Sequence, residues 1–239
     1  MSSVPDQSAR PRRRIGKWQV AILLAVLALL GTAGIAVPRW QSNTINSNES
    51  AAIAMLKNIS SAQAQMQASG VIDTDRNGAG EYGFFAELSG AKVVRSDSAG
   101  GVGAILVSPP VLAAQWSAIR ESRVTLGGYV FQMFLPGRDG GWVAENPTGG
   151  SAGVAVDSSR AELAWICYAW PVQHGWSGIR CFFIGHNGDV LSFRNHEGRY
   201  TGARGPEPGA AAFKPGTAGP AFTPAANEAD CVGDTWGVV

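Results

Sequence analysis

Charge is scarce in this chain: Asp, Glu, Lys and Arg make up 15% of its 239 residues and sum to +1. That leaves neither a basic surface for nucleic acid nor an acidic block for a solvating tail. Histidine occurs three times, as His174, His186 and His196, without HxxxH-type spacing, so a zinc site built on imidazoles is not expected. Cysteine is as sparse, and Cys167, Cys181 and Cys231 leave one thiol over whatever the other two do. No phosphate loop or dinucleotide fingerprint follows a strand-like segment. Ser177 sits in HGWSGI, which lacks the second framing glycine of a nucleophile elbow, and no nucleophile motif surrounds Cys167. With no internal repeat and no catalytic constellation, a structural or interaction role is expected, not an enzyme.

Long apolar runs are also rare, and the chain has one. Residues 20–37 (VAILLAVLALLGTAGIAV) carry no charge, with Trp18 and Trp40 at the two ends. Such a run reaches the roughly 20 residues needed to cross a hydrocarbon core, where only a helix satisfies the backbone. Arg10, Arg12, Arg13, Arg14 and Lys17 precede it and only Arg39 follows closely. This bias keeps residues 1–17 in the cytoplasm and places everything after Trp40 outside. A cleaved signal peptide shares the basic start, and Gly31, Ala33, Gly34 and Ala36 supply small residues for cleavage. Its apolar region is about 7 to 15 residues, however, so length favours a retained anchor at 18–40. The expected location is the inner membrane, single-pass, with a periplasmic domain over 41–200 and a Gly/Pro/Ala-rich C-terminal tail over 201–239, of which 201–230 reads as a covering loop or a flexible tail.

About 200 residues beyond the anchor suffice for one domain with its own core. With 31 glycines and eight tryptophans, that domain reads as turn-rich and β-based. Asn46 three residues before Glu49 is similar to a helix start. From 50 to 68 the positions Ala52, Met55, Ile59, Ala62 and Met66 step by three or four, widened by Ile53 and Leu56, and Gly70 ends the pattern. Lys57, Asn58, Ser61 and Gln65 then face water. A helical turn is expected at 84–88, a glycine- and serine-rich loop at 96–102, and a short helix at 111–121 with Trp116 and Ile119 inward. Strands follow at 128–135, at 163–170 (LAWICYAW, apolar on both faces), and at 178–185 and 189–194 around the turn signal Asn187-Gly188. With those two residues central, Ile184 opposes Leu191 and Phe182 opposes Phe193.

The apolar run leading into NESAAIAMLKNISSAQ (48–63) and then a sheet resembles type IV pilin-like proteins and the pseudopilins of type II secretion. GIRCFFIGHNGDVLSF (178–193) is similar to their late aromatic hairpin. Residues 127–188, with GGYVFQMFL, CYAWPVQHGWSG and FFIGHNGDV, also resemble an uncharacterised bacterial domain family. The resemblance implies an α+β fold: a transmembrane helix, then an amphipathic helix packed on an antiparallel β-sheet, in a subunit that associates with its own kind or with secretion or pilus components. The chain departs from the family at its processing site. Gly16 is followed by Lys17 and Trp18, and Ala21 stands where assembled members carry glutamate. Pro38 and the polar stretch 41–48 also count against one helix running from membrane to domain.

Three further patterns bear on chemistry. Asp73, Asp75 and Asn77 alternate ahead of Gly78 in the manner of a calcium loop, but position twelve is Phe84; Glu81 or Glu87 would have to supply the late carboxylate. The competing reading is a turn held by Asp and Asn side chains. Cys167 and Cys181 lie on segments that antiparallel pairing could bring together as a disulfide, with Cys231 as another partner for either. Trp142, Trp165, Trp170, Trp176 and Trp236 suit either a sugar-binding surface or sheet packing.

Overall fold

The computed structural model describes residues 17–96, 105–215 and 224–239, without the side chains of 19, 20, 23 and 27–39. The chain divides into two units, Met1–Asn43 and Thr44–Val239. Helix α1 is Lys17–Ser69, so neither Pro38 nor the polar stretch 41–48 ends it, and no new helix starts at Asn46. Most of the expected span at 18–40 falls on side chains outside the described residues, as does the segment 1–16. Among the described residues, no helix is long and apolar enough to cross a membrane.

The second unit is α+β, with one antiparallel sheet of seven strands. These are β1 (Val124–Leu126), β2 (Tyr129–Pro136), β3 (Trp142–Ala144), β4 (Ile166–Pro171), β5 (Cys181–Gly185), β6 (Val190–Phe193) and β7 (Trp236–Val238). Their order is β1-β2-β4-β5-β6-β7, and β3 pairs with β2. Short helical pieces α2 (Phe85–Leu88), a 3-10 turn (Ala114–Ser117) and α3 (Ser158–Ala161) fill the connections. The helix expected at 111–121 is only that 3-10 turn, with Trp116 buried as the sequence suggested.

Alternation along the strands sorts two cores. Tyr129, Phe131, Met133, Cys167, Ala169, Phe182, Ile184 and Val190 face one side, where Ala52, Leu56, Ile59, Ala62 and Met66 of α1 meet them. Lys57, Asn58, Ser61 and Gln65 are exposed, as the periodicity predicts. Buried Gln63 lies among these apolar residues because its amide is used on both sides: Nε2 donates to the Gly83 carbonyl at 2.8 Å, and Oε1 accepts from Gly83 N at 3.0 Å. Burying the amide is tolerable only with such partners.

Val130, Ile166, Tyr168, Trp170, Cys181, Phe183 and Leu191 face the other way. The described part of the last forty residues covers them. Ala211, Ala212, Phe213, Ala225 and Trp236 are buried there, and β7 pairs with β6. Asp230 organises this layer without a helix: Oδ1 accepts from Val232 N and Asp234 N, and Oδ2 from Ala212 N and the Trp236 indole, all at 2.7–2.9 Å. The segment is therefore a structural lid on the sheet, which accounts for LAWICYAW being apolar on both faces.

The hairpin register differs from the sequence expectation by one residue. Ile184 pairs with Val190, Phe183 with Leu191, and Phe182 with Ser192. His186 and Asn187 take the central turn positions, with Gly188 N donating to Gly185 O at 2.9 Å, and Gly188 adopts φ +77°. Such a turn with a left-handed glycine after it inserts a residue that a two-residue turn lacks. The slip exchanges the faces of the whole second strand.

Candidate binding cleft

The Asp73 turn closes on itself. The Asp73 carboxylate accepts from Asn77 N and Gly78 N at 3.1 Å, Asp75 accepts from the Asn77 backbone and side chain, and Asn77 Oδ1 accepts from Ala79 N. This is the wiring of a turn stabilised by Asp and Asn side chains. Glu81 is engaged elsewhere. Its Oε1 accepts from Thr74 N and Ser158 Oγ, each at 2.6 Å, and from Thr74 Oγ1; its Oε2 lies 3.3 Å from Arg95. Burial raises the Glu81 carboxyl, but the hydroxyls of Ser158 and Thr74 and the Arg95 charge outweigh it and hold the group below its ordinary value. Glu87, the other late carboxylate, accepts from Phe84 N and Arg95 N and pairs with the Arg95 guanidinium at 2.8 Å. Among the described residues, no three His, Cys, Asp or Glu side chains are grouped to hold a metal ion.

Beside them lies a polar cleft of about 620 Å³, to which Asp75 of the turn and the Glu81 and Glu87 partners Thr74, Ser158 and Arg95 contribute. Thr74 and Asp75 line one side, Lys92 and Arg95 another, and Asn146, Thr148 and glycines 149, 150 and 153 a third, with Arg138 and Ser158 completing it. Arg95 is a strut: its guanidinium lies between Glu81 and Glu87, donates to Tyr82 O, and sits 5.7 Å from the Phe84 ring centre. Removing one member of such a buried charged set strands the others. Lys92 and Arg138 are the other two cations. Arg138 donates from Nε to Val156 O at 3.1 Å, and its Nη groups make no hydrogen bond among the described residues.

Glu145, at the end of β3, sets the third wall. Its Oε1 accepts from Ala86 N and Gly150 N, both at 2.8 Å, tying the cleft loop to α2; its Oε2 is buried with no hydrogen-bond partner among the described residues. Burial, aided by the nearby Glu87 charge, outweighs the two N–H donors and pushes this carboxyl up to about 7. Gly149 and Gly150 adopt φ +90° and +81°, which favours glycine at both positions.

The cleft can bind anionic or hydroxyl-rich groups. The Ser158 and Thr74 hydroxyls at its edge both donate to Glu81, a carboxylate stabilised as the anion and therefore a weak base. The Ser177 hydroxyl donates to Gln173 O within its own loop and does not line the cleft. The histidines do not line the cleft. The Cys167–Cys181 bridge is not made. Both thiols are free, and they project from opposite faces of the sheet, since Cys167 is level with Ile184 and Cys181 with Phe193. The tryptophans do not form a sugar platform: Trp165, Trp170 and Trp236 are core, Trp142 packs edge-on to Phe213, and Trp176 is exposed on a separate loop.

Of the cleft lining and its supports, sequence reasoning named Asp75 and, behind the wall, Glu81, but missed the lining cations Lys92, Arg95 and Arg138 and the supporting Glu145. Arg95 follows Lys92 after only two valines and carried no distinct signal; Glu145 had none either, because its partners lie 59 residues away at Ala86 and across a glycine turn. Compared with protein-family profiles, with curated proteins and with solved structures, the chain matches none.

Proposed function

We propose that the protein is a membrane-anchored, non-enzymatic interaction protein. Residues 18–40 cross the inner membrane, residues 1–17 remain cytoplasmic, and the α+β domain acts on the periplasmic side as a pilin- or pseudopilin-like component of a secretion or pilus-like apparatus. The observation that supports this reading best is the amphipathic part of α1. It lies on one face of an antiparallel sheet and is bolted to it by Gln63, by Asn48 and Glu49, and by Lys57, whose Nζ donates to Gly188 O at 2.8 Å. The part of the helix within Thr44–Val239 is thereby fixed to the domain. Mass spectrometry of the native amino terminus tests the apparatus role. A chain cut after Gly16 supports a processed, assembling subunit; an intact terminus removes the filament reading and leaves a resident membrane protein, which Ala21 in place of glutamate favours.

The cleft supports a second reading, a tethered module that binds an acidic glycan or a related polyanion through Lys92 and Arg138. Calorimetric titration with an acidic oligosaccharide tests it: binding should weaken at higher salt and be lost in a K92Q/R138Q double variant. Calcium dependence is checked by melting with and without added calcium, where an unchanged midpoint removes the metal from this reading.

A further inference from the structure

We propose that the polar cleft recognises the carboxylate of a uronic-acid sugar, and that Arg138 selects this group over sulfate and phosphate esters. The inference rests on the binding-module reading above and deepens it by naming the charged group that the cleft takes.

The charge of the cleft is balanced. Its charged lining is Asp75, Lys92, Arg95 and Arg138. Arg95 is committed to Glu81 and Glu87. Lys92 makes no hydrogen bond or ion pair among the described residues, and Asp75 accepts only from Asn77 and from Ser159 Oγ. Counted with the two glutamates behind Arg95, three cations stand against three carboxylates. The excess negative charge of a densely sulfated or phosphorylated polymer would meet these carboxylates uncompensated, which is a penalty built against such ligands. A single monoanion between Lys92 and Arg138 meets no such excess.

Arg138 is held for that contact. Its backbone N donates to Ala155 O at 3.0 Å and its Nε to Val156 O at 3.1 Å, and Val156 itself lines the cleft. With Nε occupied, the remaining fork of the guanidinium is its pair of Nη groups, whose parallel donors match the two oxygens of a carboxylate. A tetrahedral ester is also bound by a point charge such as a lysine ammonium. Lys92 is placed by its stem, since a Cβ on Gly150 would stand 3.1 Å from Lys92 Cβ. The stem therefore lies along the glycine wall that Glu145 fixes through Gly150 N.

The rest of the lining suits a sugar ring. The Ser96 and Ser151 hydroxyls and the backbone N–H groups of Ser151, Ala152 and Gly153 have no partner among the described residues, so they are open to ring hydroxyls. Val93, Val154 and Val156 add apolar surface for the C–H face of the ring. A volume of about 620 Å³ is that of a small-ligand site.

The test is calorimetric titration of the full chain in mild detergent at low salt, without calcium, near pH 6, below the value of about 7 to which burial pushes Glu145. Three tetrasaccharides are compared: oligogalacturonate, its fully methyl-esterified form, and a heparin-type sulfated oligomer. The acid should bind about tenfold tighter than its ester, and tighter than the sulfated oligomer. R138K keeps the charge and loses the fork, so the acid should weaken about tenfold while the sulfated oligomer changes little. Should R138K fail to fold, the three ligands on the wild-type chain still decide. Tighter binding of the sulfated oligomer, or a ratio of the two affinities that R138K leaves unchanged, overturns the carboxylate inference; loss of that binding in K92Q/R138Q then leaves the polyanion reading standing. If neither acidic ligand binds, or K92Q/R138Q weakens neither, the reading and the inference fall together.

Discussion

Replacing Glu145 by glutamine separates the effect of its charge from that of its shape. Glu145 is 1% exposed, and its carboxyl is pushed up from an ordinary 4.5 to about 7. For an acid whose folded value lies above its unfolded one, the folded state holds the proton more tightly. Its contribution is therefore fully present below about 4.5 and is lost as pH rises to about 7. A difference of this size corresponds to about 3 kcal/mol. Glutamine keeps an oxygen where Ala86 N and Gly150 N converge but cannot ionise. It also places an NH2 where Oε2 has no partner, at a cost of about 1–3 kcal/mol that does not vary with pH. The slope of stability against pH, not its value at one pH, is thus the discriminating quantity. Urea unfolding of the full chain in mild detergent from pH 4.5 to 8 should show wild-type stability declining with pH and E145Q nearly flat over the same range. A variant that keeps the wild-type slope would refute the assignment of that decline to Glu145.

Three other outcomes follow from the packing. Glu49→Ala removes the acceptor for two backbone N–H groups and the partner of Arg180, and should lower unfolding stability by about 2–4 kcal/mol, read as a lower urea midpoint at unchanged slope. Trp236→Ala empties the centre of the second core, where its ring contacts Tyr168, Phe183 and Phe193; a loss of about 3–5 kcal/mol is expected, and a change below 1 kcal/mol would show that the carboxy-terminal layer is not part of the cooperative unit. Without reductant, an Ellman titration should find one reactive thiol in the native protein, the exposed Cys231, and three after denaturation, since Cys167 and Cys181 are buried and burial raises both thiols well above their usual range. One thiol after denaturation would mean that a disulfide had formed.

How legible each element was depended on whether its cause is local. The stripe Ala52, Met55, Ile59, Ala62 and Met66, widened by Ile53 and Leu56, declares the inward face through spacing, although Met55 and Ile53 are only partly buried, and GYVFQMFL and LAWICYAW declare strands through composition. The polar stretch before Asn48 looked like a break because serine and asparagine favour caps over helix interiors. It is helical where Asn48 and Glu49 reach a loop some 130 residues away, a contact that propensity does not register. The hairpin lay one residue off because Asn187-Gly188 fits two turns, and only the faces of β4 and the segment over them decide between the two. Residues 201–239 read as a loop or tail for a similar reason. Their order comes from Asp230 gathering four N–H donors, and an aspartate in a segment without apolar periodicity gives no signal of that role. In the cleft, the turn at Asp73 was visible and its ligand chemistry was not, since Glu81 is committed by Arg95, Thr74 and Ser158.

The central claim, that a domain hangs outside the membrane from an apolar helix near its start, is tested most directly with the native thiol Cys231. Intact spheroplasts making the full chain are treated with a membrane-impermeant maleimide, and the labelled protein is followed through alkaline carbonate extraction. The account expects Cys231 to be labelled from outside and the labelled chain to remain in the membrane pellet. Labelling that requires lysis, or a labelled chain released into the carbonate supernatant, would contradict it.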